Sequence, residues 1–222
     1  MSRILAASDP ASQALSGLAS VLETPVHVLA VLLLGILAYE LGGLGMEAWR
    51  RVSPRARPVQ DTAGRALADP DAAPGIARET PGPLTERAVL DLALAVRSPR
   101  TDAIENALAG YELRIQRKLD RTRMLVRAGP ALGLMGTLIP LAPGLSALGE
   151  GNYQQLAGDL KSAFAATVVG ILVGTGAYAL TLVRTRIYTE DLAGLERAVA
   201  GREGHAEPHH RHVELTVGGD AP

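Results

Sequence analysis

Two uncharged apolar stretches, close together in the chain, constrain its fold more than any other feature. Residues 129–148 read GPALGLMGTLIPLAPGLSAL, and residues 162–183 read SAFAATVVGILVGTGAYALTLV. Neither holds a charged side chain. Each supplies roughly the 20 apolar residues that a helix needs to cross a bilayer core of about 30 Å. They predict a membrane hairpin, with TM2 over 129–149, a polar turn over 150–161 and TM3 over 162–183.

A third apolar run precedes them. PVHVLAVLLLGILAYELGGLGM, residues 25–46, is too long for a signal-peptide core, and no small-residue cleavage pattern follows it. It predicts a retained span, TM1 over 25–49, behind an N-terminal segment 1–24. Glu40 is the one acid inside that run, and an acid within a span is a functional candidate by default. Its closeness to Trp49, Arg50 and Arg51 points instead to a structural role, paired with a neighbouring helix or reaching for the headgroups. His27, near the other end, reads as interfacial.

Arginine placement orients the spans. Residues 50–127 hold fifteen Lys or Arg, against one in 1–23 and one in 150–161. Cytoplasmic flanks favour these residues. The expected topology is a multi-pass protein of the cytoplasmic (inner) membrane, with N-terminus and hairpin turn outside and C-terminus in the cytoplasm.

The remaining segments follow from composition and period. Residues 50–83 carry six prolines from Pro54 to Pro83 among charges and alanines. That composition predicts a disordered cytoplasmic linker. Residues 84–128 predict cytoplasmic helices. Leu84, Ala88 and Leu92 share one face of a short helix, with Thr85 able to cap it. Ile104, Leu108, Tyr111, Ile115 and Leu119 stripe a longer one that starts at Thr101 and runs on into TM2. The basic run 114–127 reads as a solvated, headgroup-facing surface. It lacks interleaved aromatics, and with a net charge of −1 nothing points to nucleic acid. After TM3 a cytoplasmic helix is expected over 184–200, ended by Gly201 and Gly204, then a disordered tail 201–222. His205, His209, His210 and His212 in that tail have no fixed geometry, so no metal site is expected. The chain has no Cys, hence no disulfide framework or thiolate site. It has no phosphate loop, dinucleotide fingerprint or zinc helix, so neither enzyme activity nor a cofactor is expected.

The membrane hairpin is rich in small residues at regular spacing. Ala166, Gly170 and Gly174 lie at i, i+4, i+8, along one face of TM3. Gly133 and Gly136 do the same service in TM2, which also holds Pro140 and Pro143 as candidate kinks. Small residues mark where membrane helices bring their backbones together, although they are also common in an Ala-rich chain. Thr137 and Thr167 lie fifteen residues on either side of Asn152 in the turn, so antiparallel helices bring them to similar depth. A buried Thr can bond back to its own helix or line a polar pore. The spacing leaves both roles open.

The stretch PALGLMGTL, residues 130–138, resembles the P-x-LGLLGT segment of the MotA/TolQ/ExbB proton-channel family. AFAATVVGILVG, residues 163–174, resembles that family's A-L-x-T-T-x-x-G-L-x-x-A helix. The resemblance covers about 127–188 well and TM1 by position. Pro140 stands where many members have Gly and Gly174 where many have Ala, which suggests a divergent branch. The resemblance implies that Thr137 and Thr167 are the family's two pore-facing threonines. It further implies a homopentamer around a pore, and a single-span partner of the MotB/TolR/ExbD kind bearing an intramembrane Asp.

The expected architecture is all-α, an integral membrane protein of three spans with long TM2 and TM3 helices extending into the cytoplasm. The expected function is that of an ion-channel subunit, for protons or sodium, in a motor driven by the ion gradient. Its partners are itself, the single-span subunit and membrane lipid. The alternative is a non-conducting scaffold that oligomerises through the hairpin.

Overall fold

The computed structural model describes residues 10–54 and 56–206. Its helices are α1 (Pro10–Val52), α2 (Val59–Ala68), α3 (Ala73–Ala77), α4 (Pro83–Arg97), α5 (Ala103–Gly149) and α6 (Tyr153–Ala206). No strand occurs among the described residues. The protein is all-α, and three of its helices (α1, α5 and α6) are long and apolar enough to cross a membrane. Contacts divide it into two units, each with its own interior.

The first unit comprises the chain up to residue 45 and residues 118–184. It contains the apolar lengths of α1, α5 and α6. Leu37, Leu125, Val173 and Ala177 form its buried cluster, backed by Leu33, Leu34, Val126 and Val169. Val31, Leu32, Leu134, Leu138, Phe164 and Val168 point outward and are exposed. Helices apolar on every side are what a bilayer selects. Pro130, Pro140 and Pro143 all lie within the unbroken α5. Each removes one amide from the helix ladder, so the carbonyls of Val126, Gly136 and Ile139 lose their usual intrahelical donor.

The turn between α5 and α6 is tighter than expected. Only residues 150–152 lie outside the helices, so most of the predicted 150–161 turn is the first part of α6. Gly151 makes the reversal at φ 78°, a backbone state that costs glycine little. Asn152 Oδ1 then accepts the Gln155 amide at 3.1 Å and caps α6. The polar residues that suggested a loop are ordinary helix formers once the cap is in place. At the other end of the chain, α1 starts at Pro10, so residues 10–24 continue the helix of the span. Residues 1–9 lie outside the described residues.

The second unit comprises residues 46–117 and the chain from 185 onward. Here the expectation of a disordered linker over 50–83 is overturned. Residues 59–68 and 73–77 are helices, and α2, α3 and α4 pack on one another. The prolines begin helices rather than break them. Pro58 is the N-cap residue of α2, and α3 and α4 each carry Pro in the first two positions. There the missing amide has no partner to lose. Ala63, Ala66, Ala77, Ala88 and Ala93 are almost wholly buried beside Val89 and Leu92, so small side chains build this core by close approach. Arg65 and Arg57 both reach Glu79, at 2.7 and 3.2 Å, and hold the Glu79 carboxyl below its ordinary range. Thr85 lies inside α4 and is buried; the cap position belongs to Gly82. α5 starts two residues after the Thr101 expected to cap it.

α6 also outruns its predicted end. Gly201 and Gly204 sit within the helix. A helical Gly costs about 1 kcal/mol relative to Ala, and nearby anchoring offsets that. Leu195, Ala198 and Val199 are buried, and Arg202 Nη1 donates to the Leu67 carbonyl at 3.1 Å. His205 is in this last turn, so the expected disordered tail gives up 201–206 to the helix. His209, His210 and His212 lie outside the described residues.

Candidate functional site

The site grows from the contact between α5 and α6 in the first unit. A Cβ built on Gly170 would lie 2.6 Å from the Gly129 carbonyl oxygen and 2.6 Å from Gly133 Cα. One on Gly174 would meet the Pro130 ring at 2.8 Å, and one on Gly136 would meet Ala166 Cβ at 2.5 Å. One on Gly133 would lie 3.3 Å from Gly170 Cα. Nothing larger fits at these levels, so backbone touches backbone. The helix-packing set read from sequence, Gly133, Gly136, Ala166, Gly170 and Gly174, therefore meets itself across the hairpin of one chain. Gly129 joins it. Its spacing of four before Gly133 was the available signal.

Because Gly136 faces Ala166, the neighbours Thr137 and Thr167 sit at the same level of the hairpin. Both are half-buried. The Thr137 hydroxyl donates to the Leu134 carbonyl at 2.7 Å and the Thr167 hydroxyl to the Ala163 carbonyl at 3.3 Å. Each donor is thus used on its own helix, and the oxygen lone pairs remain able to accept. Pro140 is buried one turn beyond Gly136, and Pro143 is exposed.

Charged groups flank the contact and do not enter it. Glu40 is buried, and Arg184 Nη1 donates to its Oε2 at 2.6 Å while Nη2 donates to its main-chain carbonyl at 3.0 Å. The guanidinium is only 1% exposed, and its Nε finds no acceptor. Removing one member of a buried pair of this kind strands the other. The sequence reading placed Arg184 only at the start of the cytoplasmic helix expected over 184–200. A cation ending an apolar run gives no local sign of an acid on another helix. Near the hairpin turn, the Asp159 carboxylate lies over Gly144, with Oδ2 3.5 Å from a Cβ built there. That acid was assigned to the turn and belongs to α6. His27 Nε2 lies 3.0 Å from Ser162 Oγ. Among the described residues no three His, Cys, Asp or Glu gather as a metal site.

The segment that contains this contact is also the one with known relatives. Residues 87–192 match the model of the MotA/TolQ/ExbB proton channel family. Over those residues the chain is similar to a MotA/TolQ/ExbB channel domain. The match runs from α4 into α6, so it takes in the whole α5–α6 hairpin with Thr137 and Thr167. It leaves out α1 and Glu40. With three helices long and apolar enough to cross a membrane, the match supports a channel-type, multi-pass membrane subunit. No curated protein and no solved structure gives a significant match.

Proposed function

We propose that the chain is the pore-forming subunit of a MotA/TolQ/ExbB-like motor, passing an ion, a proton in our reading, across the cytoplasmic membrane. The observation that carries this reading is the level pairing of Thr137 with Thr167 inside the family-matched hairpin. Copies of the chain, five on the family pattern, surround a single-span partner that supplies the acid. The two threonines face that acid, and their lone pairs accept hydrogen bonds from it or from water that hydrates it. Pro140 and Pro143 bend α5 and free the Gly136 and Ile139 carbonyls close to the same level. The N-terminus and the 150–152 turn face outward and the C-terminus the cytoplasm, a reading supported by the arginine distribution.

One observation favours a non-conducting scaffold instead. Both threonine hydroxyls donate within their own helices, the ordinary habit of Thr in a membrane span. Ion uptake into liposomes holding the chain with its co-expressed single-span neighbour decides between them. Thr137→Val and Thr167→Val keep shape and remove the oxygen. Each should leave assembly intact and cut uptake, by about fivefold for a lost bond of about 1 kcal/mol. Uptake undiminished in the double variant removes the threonines from the path. No uptake in the wild type leaves the scaffold.

A further inference from the structure

The second unit contains a cavity that the channel reading leaves unused. It holds about 400 Å³, and its walls come from the end of α1, the start of α2 and α6. Three guanidinium groups line it, those of Arg51, Arg57 and Arg197. Gly194 is the α6 residue that faces the start of α2. A Cβ built there would lie 3.4 Å from the Gln60 amide nitrogen and 3.5 Å from Val59 Cβ. Pro58, the N-cap residue of α2, brings no side-chain hydrogen bond to the first amides. Those amides are the positive end of the helix.

The acids on the cavity wall are already taken. Arg51 grips Asp191 with both arms, Nη1 to Oδ1 at 3.0 Å and Nη2 to Oδ2 at 2.5 Å. Glu190 accepts from Arg186 Nε at 3.0 Å. Glu47, which also reaches Arg51, and Asp61 of the first turn of α2 do not line the cavity. The arginines are less well matched. Arg197 Nη1 donates to Gln60 Oε1 at 2.9 Å, and that partner is a neutral amide. Arg57 shares the Glu79 carboxylate with Arg65, at 3.2 and 2.7 Å. The Arg57 side chain is 62% exposed, and an exposed pair of this kind is worth little. Arg57 can therefore leave Glu79 to Arg65 and turn to a ligand. Arg51 Nε is buried and finds no acceptor.

We propose that this cavity binds an anion bearing a phosphate group, held between Arg57 and Arg197 with its oxygens toward the first amides of α2. Two guanidinium forks and a helix start offer more donors than the two oxygens of a carboxylate can use. The oxygens of a phosphate can meet them in pairs. A phosphate fills only part of the space. Ala56, Val59 and Pro81 complete the wall and suit an uncharged organic portion such as a glycerol unit. A lipid headgroup and a free phosphate ester both carry this chemistry. Arg51 stands two residues after Trp49, which is 79% exposed. Exposed Trp is favoured at headgroup depth, so a lipid could enter from the α1 side.

Native mass spectrometry of the full chain from mild detergent tests this, with phosphatidylglycerol as the lipid probe and glycerol 3-phosphate as the free one. The wild type should retain one molecule of at least one probe per chain. Retention of the lipid alone assigns the site to a headgroup, and retention of the ester alone assigns it to a soluble phosphate. If both are retained, each should displace the other. Arg57→Gln with Arg197→Gln should weaken whichever binds by about tenfold or more, since each change removes a charged hydrogen bond. Arg87→Gln with Arg117→Gln removes the same charge at two exposed positions off the cavity and should leave binding unchanged. Neither probe retained, two probes that do not compete, or equal effects of the two double variants would overturn the site. Should the cavity variant fail to fold, Arg197→Lys alone should still bind more weakly, because a point charge replaces the fork. Unchanged retention in that protein counts against the proposal.

Discussion

Gly170→Ala adds one methyl group at the tightest point of the α5–α6 contact. The new Cβ would lie 2.6 Å from the Gly129 oxygen and Gly133 Cα and 2.8 Å from Gly133 N, where ordinary contact starts at 3.4 Å. The obstacles are backbone atoms, which no rotamer change can move. The helices must part by about 0.8 Å, from the difference between those distances. A gap of that size forfeits a quarter to a half of each van der Waals well along the face. Overpacking typically costs about 1–3 kcal/mol. Clashing backbones on both flanks place Gly170 at the upper end, near 3 kcal/mol or about 100-fold in the folding equilibrium. Gly35→Ala is the control. It has nothing within 4 Å and should gain about 0.5–1 kcal/mol of helix propensity. Thermal unfolding in mild detergent followed by circular dichroism reads both. The small face meets within one chain, so the loss should appear in protomer stability as well as in oligomer mass. A Gly170→Ala protein as stable as Gly35→Ala would refute the packing argument.

Arg184→Ala should cost about 3–5 kcal/mol, because it strands the buried Glu40; Glu40→Met with Arg184→Met should cost less than the single change. Equal losses in the same melting assay would mean that the pair is not mutually dependent. Glu150→Cys places a thiol in the exposed turn of a chain without other Cys, and spares the Asn152 cap. An impermeant reagent should label it from outside intact cells, and labelling only after the cytoplasmic side is opened would reverse the proposed topology.

How much of this was legible depends on whether the signal is local. The hairpin was legible, because 20 residues without charge have few other homes. Its small-residue face was legible from the spacing of Ala166, Gly170 and Gly174 alone. The α2–α4 core was not. It is built largely from alanines, which leave no apolar run, and its prolines fall where a helix begins, which composition cannot distinguish from a linker. The Glu40–Arg184 and Arg51–Asp191 pairs join residues 144 and 140 positions apart. No window on the sequence contains both members, so neither pairing was legible.

The placement of acids in the first unit bears on where an ion could be carried. On the proposed reading, the carrier must reach the level of Thr137 and Thr167. Among the described residues, Glu40 is held by Arg184, Asp120 and Glu150 are exposed outside the apolar lengths, Asp159 sits over Gly144 near the turn, and Glu23 lies on α1 one turn before Val26, which approaches Gly136. Asp159 precedes Thr167 by eight residues, about 12 Å along the helix, too far for its side chain to bridge. The stretches 129–148 and 162–183 contain no acid at all. On the proposed reading, moving a proton past the threonines calls on Glu23 of α1, on a carboxylate from a second chain or on a continuous file of water. Water needs space between helices, and here the backbones of α5 and α6 are in contact at Gly129, Gly133, Gly170 and Gly174. A path cannot run through the middle of one hairpin. On the proposed reading it passes along the hairpin's outer face, where a second chain can present its acid to the two threonine oxygens.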